Sequence, residues 1–199
     1  MASEIKANKI SPATGTAFTL GDSGDTFTIP SGVTLTNNGS ATGFGKVLQV
    51  VNATKSDTNS TTSGTAVTTG LEASITPSAT SSKVLVLVSF AYTADSDSNS
   101  VFQLYRDSTA IHLGDAASNR VRASAGTLYQ QNNAVDIYSA SINCLDTPST
   151  TSSITYALYY FRGNTSSSNP IYLNRSYNDA DTSQYKRVIS SITLMEIAG

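Results

Sequence analysis

Asp95-Ser-Asp-Ser-Asn99 sets side-chain oxygens at the one-three-five spacing of a calcium-binding loop, where alternate side chains on a tight turn can converge on one hard cation. The rest of that motif departs from the pattern. Ser100 stands where the loop needs Gly, and Arg106 stands where a bidentate Glu would close it. The competing reading is a plain polar turn; no metal is assigned, and Asp95, Asp97 and Asn99 are the residues that would hold one. The only histidine is His112, within Ile111-His-Leu113, and a lone strand histidine is more often packed or solvated than a general base. No Gly-x-Ser-x-Gly elbow occurs. Asp179 and Asp181 are spaced as a carboxylate pair, yet Tyr177-Asn-Asp-Ala-Asp-Thr182 reads better as a solvated loop. The expectation is a protein without catalytic residues or cofactor. Cys144, the single cysteine, excludes an intrachain disulfide framework and reads as a small buried hydrophobe.

Tyrosine supplies the remaining recognition chemistry. Six of the ten lie between Tyr156 and Tyr185, interleaved with Arg162, Asn164, Asn174, Arg175, Asn178 and Asp179. A tyrosine offers a flat apolar face and a hydroxyl at low entropic cost, which suits protein interfaces and stacking on sugar rings. Loop residues Tyr177, Asn178, Asp179 and Asp181 are the candidates for contact with an external surface. Tyr156, Tyr159 and Tyr160 are expected in a core or a subunit interface.

The elements that must position these residues are strands. Runs rich in Val, Ile, Thr and Tyr are expected as strands at 46–53, 65–69, 71–76, 83–93, 100–106, 120–124, 127–130, 134–143, 153–162, 170–174 and 187–197, separated by polar turn clusters such as Ser56 to Gly64 and Gly163 to Pro170. No stretch carries a helical period. Many short strands punctuated by turns predict an all-β chain: an antiparallel sandwich of jelly-roll type. Lys83 to Tyr92 places Val84, Val86, Val88, Phe90 and Tyr92 on one face and Leu85, Leu87 and Ala91 on the other, so neither face is polar. Ile154 to Phe161 and Val188 to Ile197 repeat the pattern. Leaving Leu85 and Leu87 wet forgoes about 1.5–3 kcal/mol each relative to burial. A lid of loops would recover that energy; a subunit interface would too, most simply around the axis of a trimer. Leu85, Leu87, Tyr156, Tyr159, Tyr160 and Leu194 are the interface candidates.

Composition restricts the function further. Charged residues make up 13% of the chain, about half the ~25% usual in soluble domains, and the net charge is -2. No basic surface draws the protein to nucleic acid or anionic membrane. No run of about 18 apolar residues occurs, and Met1 to Ile10 lacks the apolar core of a secretion signal, so synthesis in a cytoplasm without export by that route is expected.

Between Phe18 and Gly39 one unit recurs three times: Phe18-Thr-Leu-Gly-Asp-Ser-Gly, Phe27-Thr-Ile-Pro-Ser-Gly and Val33-Thr-Leu-Thr-Asn-Asn-Gly. Each reads as a short strand closed by a turn, with Phe18 and Leu20, Phe27 and Ile29, and Val33 and Leu35 on one face. Three such units cannot bury that face alone and would stack on copies in sister subunits. The expected organisation is a β-repeat stalk segment over 1–45, jointed at Gly43-Phe-Gly45, and a β-sandwich head over 46–199.

The stretch Phe18 to Phe44, with Gly24 to Gly32 and Asn37 to Phe44, resembles the N-terminal part of tail-fibre and other virion structural proteins of marine bacteriophages, including those infecting cyanobacteria. Ile5 to Gly15 and Ser191 to Ile197 are similar in style, and the opening match covers about 40 residues. The head resembles trimeric jelly rolls of the tumour-necrosis-factor and complement-C1q type in architecture. The resemblance implies a virion protein, made in the host cytoplasm, that attaches to other virion proteins by its N-terminus. Its head would be presented outward toward a host cell-surface glycan or protein. Two alternatives stand beside it: a capsid decoration or head-fibre protein that stabilises the shell, and a calcium-dependent carbohydrate-binding module.

Overall fold

A computed structural model describes Ile10, Thr14 and residues 22–26, 28–34, 36, 47–94, 99–127, 135–163 and 169–199. The chain falls into two compact units, Met1–Phe44 and Gly45–Gly199. Much of the repeat, including Phe18, Leu20, Phe27 and Leu35, lies outside the described residues. Its turns are present: Asp25 N–H donates to the Asp22 carbonyl at 3.0 Å and Val33 N–H to the Pro30 carbonyl at 3.2 Å. Gly24 and Gly32 supply the positive φ these turns need, at 100° and 85°. Ile29 and Val33 are exposed, and no strand is formed among the described residues of this unit.

The second unit is all-β among its described residues. Its segments are β1 (Val47–Lys55), β2 (Asn59–Thr61), β3 (Val67–Ile75), β4 (Lys83–Ala94), β5 (Ser100–Arg106), β6 (Thr109–Ile111), β7 (Ala125–Thr127), β8 (Tyr138–Asp146), β9 (Ile154–Arg162), β10 (Ile171–Leu173) and β11 (Ser190–Ile197). They form two antiparallel sheets.

β8 occupies one edge of β4 from Val84 to Tyr92. The other edge is shared end to end by β11, facing Lys83–Ser89, and β10, facing Tyr92–Ala94. β1 and β2 lie in line in the same way against β11 and β10. β6 and β7 lie in line on β5. Counted as continuous runs, the segments make eight strands, ordered β1/β2–β10/β11–β4–β8 in the first sheet and β3–β9–β5–β6/β7 in the second. Every connection crosses between sheets except the two-residue hairpin Asp107-Ser108 from β5 to β6. That is the jelly-roll order.

The inward faces meet as alternation demands. Val84, Val86, Val88, Phe90 and Tyr92 of β4 are buried against Phe102 and Leu104 of β5 and Tyr156, Leu158 and Tyr160 of β9. Phe102 packs its ring 4.6 Å from Phe90 and 4.7 Å from Tyr92, centre to centre, joining the two sheets.

Several boundaries differ from expectation for identifiable reasons. The expected strands 65–69 and 71–76 are one strand, β3, bulged at Gly70 (φ 78°), where the register to β9 slips between Thr68 and Glu72. β2 lies in a stretch that reads as a turn cluster, because its three residues are polar and only its pairing to β10 defines it. The expected strand 120–124 is part of a 112–124 excursion from the β6/β7 strand, and β8 runs three residues past the expected 143.

Candidate interaction surfaces

Register fixes what the outer face of the first sheet presents. Val50 lies opposite Met195, Met195 opposite Leu85, and Leu85 opposite Leu145, so one outward row crosses four strands and is wholly apolar. Leu48 and Val47 on β1 and Ile197 on β11 extend it toward one end, and Leu87 lies on the other side. Val47, Leu48, Val50 and Leu145 are each about half exposed or more, at 49%, 52%, 56% and 56%. The next outward positions are neutral and polar: Asn52, Thr193 and Asn143, then Thr54, Ser191, Ser89 and Ser141. Asn52 donates to Thr193 Oγ1 at 2.8 Å. Lys83 is the only charged side chain directed outward from these four strands.

Leu85 and Leu87 therefore stand on an outer face, half-buried in the single chain. Three other interface candidates are corrected. Tyr156, Tyr160 and Leu194 have no exposed surface, because even-numbered positions on β9 and β11 point between the sheets. Tyr159 points outward from the second sheet and stacks on Tyr105 at 4.0 Å.

A second group of polar and ionic side chains lies on the excursion 174–189 that interrupts the β10/β11 strand. Its base is locked by Asn174, a buried residue at φ 61°. Asn174 Nδ2 donates to the Lys55 and Asp57 carbonyls at 2.7 and 3.0 Å, and its Oδ1 accepts from Ser190 Oγ at 2.6 Å. Ser190 Oγ in turn accepts the Ala91 N–H at 3.1 Å. Beyond the lock, Arg175 lies 4.1 Å over the Tyr172 ring, donates to the Tyr177 carbonyl and pairs with Asp179. Arg187 holds the same carboxylate with two nitrogens, at 2.9 and 2.5 Å. The Arg187 bonds, reinforced by the charge of Arg175, hold Asp179 below the ordinary carboxylate range. Asn178 Nδ2 donates to the Tyr185 hydroxyl at 3.1 Å. A groove of about 390 Å3 opens between Asp179, Ala180, Asp181, Thr182, Tyr185 and Arg187.

The structure thus places the four host-contact candidates on one excursion, but in different situations. Asn178 and Asp179 are committed to bonds within the loop, Tyr177 is half-buried with its ring edge-on to Tyr172, and Asp181 is exposed on the groove. Tyr185, one of the six clustered tyrosines, lines the groove, and Thr182 and Arg187 complete it without having been singled out by sequence, since only the folded loop brings them beside Asp181. Of the metal candidates, Asp95 and Asp97 lie outside the described residues, and Asn99 receives the Gly163 N–H on its carbonyl at 2.8 Å. Among the described residues no three His, Cys, Asp or Glu side chains gather as a metal site. His112 is exposed at the end of β6, in a left-handed conformation.

Two carboxylates serve the framework. Asp146 at the end of β8 accepts from Arg106 Nη1 at 3.0 and 2.8 Å and from the Tyr156 hydroxyl at 2.6 Å, tying the first sheet to the second. Burial, with the Asp146 bond added, pushes the Tyr156 hydroxyl far up. Burial also pushes up the Cys144 thiol, which lies in the core. Glu196, 1% exposed, accepts from Ser78 N–H at 2.7 Å, Ser78 Oγ at 2.6 Å, Ser82 Oγ at 2.7 Å and Gln49 Nε2 at 2.6 Å.

No protein-family model and no curated protein matches the chain. One similar solved structure is that of infectious bursal disease virus, Gx strain, with a TM-score of 0.36 and 13% sequence identity over 75% of this chain. The match spans 42% of the length of that chain. At this TM-score the likeness assigns neither fold nor function.

Proposed function

We propose that this chain is a non-enzymatic virion structural protein: a homotrimeric tail fibre or similar phage appendage, attached by its N-terminal unit and presenting its jelly-roll head to the host surface. It uses no cofactor, binds no nucleic acid and does not insert into membrane. The reading rests on the resemblance carried by Phe18 to Phe44 and, in the structure, on one observation above all. On the excursion 174–189, ionic and aromatic side chains are prearranged beside one groove by bonds within the loop itself. A loop that already holds its own side chains loses less entropy on binding, which is how rigid scaffolds present recognition loops. Asp181, Thr182, Tyr185 and Arg187 around the groove supply a carboxylate, hydroxyls, an aromatic face and a guanidinium, a set suited to a surface glycan or a polar protein patch.

Adsorption tests the recognition half. The purified protein, added in excess, should slow adsorption of the parent phage to its host, and Tyr185→Ala with Asp181→Ala should remove the competition without lowering thermal stability by more than a few degrees. Failure of the intact protein to compete, with the protein found on the capsid of the particle, favours the shell-decoration alternative.

A further inference from the structure

We infer that the outer face of the β1–β11–β4–β8 sheet is the subunit interface, and that its occupant is a second copy of this chain. The inference deepens the homo-oligomeric reading proposed above and rests on it. An antiparallel sheet ordinarily turns one face to the core and gives the other polar side chains for water. Here the outer face carries the row Val50–Met195–Leu85–Leu145, with Val47, Leu48 and Ile197 beside it. A contiguous apolar band of this kind marks a contact surface.

The near absence of charge suits a second copy. Lys83 is the only charged group on the face, and it stands at the start of β4. A partner recognised through ions would leave complementary charges there, whereas a copy of the same neutral face approaches without like-charge repulsion and without desolvating an ion. The polar rows suit self-association equally. Asn52, Asn143, Thr193, Ser141, Ser89 and Ser191 each carry a donor and an acceptor, so identical rows can satisfy one another. Size is consistent with that role. Four strands about 4.8 Å apart and about 8 residues long present roughly 500 Å2 of projected face. Three such faces turned toward one axis cover about 1,500 Å2 in all.

Light scattering on the full chain and on single variants decides the matter. Val50→Asp on β1 and Leu145→Asp on β8 place a charge within the band on two different strands; both side chains are more than half exposed in the subunit, so the fold should persist by circular dichroism. Ile189→Asp, at an equally exposed apolar residue on the excursion, is the control. The inference expects an oligomeric wild type and control, with a dissociation constant raised at least about tenfold in both face variants. An oligomeric wild type whose face variants assemble unchanged overturns the interface while leaving the homo-oligomeric reading in place. A monomeric wild type overturns both.

Discussion

Glu196 is a carboxylate enclosed by neutral donors, and that ties the stability of its site to acid. Burial alone would raise its pKa; the bonds from Ser78, Gln49 and Ser82 outweigh burial and bring it from 4.5 to about 2. Because the folded value lies below the unfolded one, its contribution is full above pH 4.5 and is lost as pH falls toward 2. Urea unfolding across that window should show stability declining with acid. Glu196→Gln should flatten the decline and cost about 2–3 kcal/mol at neutral pH, since an amide turns donors toward donors. Asp146 provides a second residue-scale test. Tyr156→Phe keeps the Arg106 pair and should cost about 1 kcal/mol. Asp146→Ala strands a half-buried guanidinium and a buried hydroxyl together and should cost about 3 kcal/mol or more. Neither carboxylate site was legible in the sequence: Ser78 and Glu196 meet across 118 residues, and no local pattern announces such a pair.

At the scale of elements, the strands with strong alternation were legible and those defined by pairing alone were not. Lys83 to Tyr92 declared both of its faces because Val and Leu alternate from Val84 to Val88, and Leu85 and Leu87 fell on the outer face as their parity requires. The same parity seals Tyr156, Tyr160 and Leu194 between the sheets, a fact the apolar-on-both-sides pattern could not reveal until the register was known. Leu145 was missed because the expected strand ends at Asn143, two residues short of it. Residues 175–186 read correctly as loop, whereas 187–189, expected at the start of the last strand, belong to the excursion; its lock was not legible, since Asn174 works through a left-handed backbone and carbonyls over 100 residues away. Asn174→Ala should cost about 2 kcal/mol and open the excursion to limited proteolysis between 175 and 189 while the sheets remain intact. Asn174→Gly relieves the backbone and still removes the bonds, so it should open the excursion as well. Unchanged protease resistance in both variants would show that the excursion is held some other way.

For the whole molecule, the proposal joins two features of one chain: an N-terminal unit of recurring turns at Gly24 and Gly32, and a jelly roll with a neutral apolar outer face. Each leaves apolar side chains exposed in the single chain, among them Ile29 and Val33 in the first unit and Val50 and Leu145 in the second. Covering half-exposed groups of this size recovers about 1 kcal/mol each, enough in sum to hold an assembly and too little singly to matter. Three copies are the expected number, each turning its face toward a common axis. The most direct measurement is the mass of the intact chain in solution by light scattering. The proposal predicts about three times 20.8 kDa, persisting on dilution into the micromolar range. A single species at 20.8 kDa across that range would contradict it.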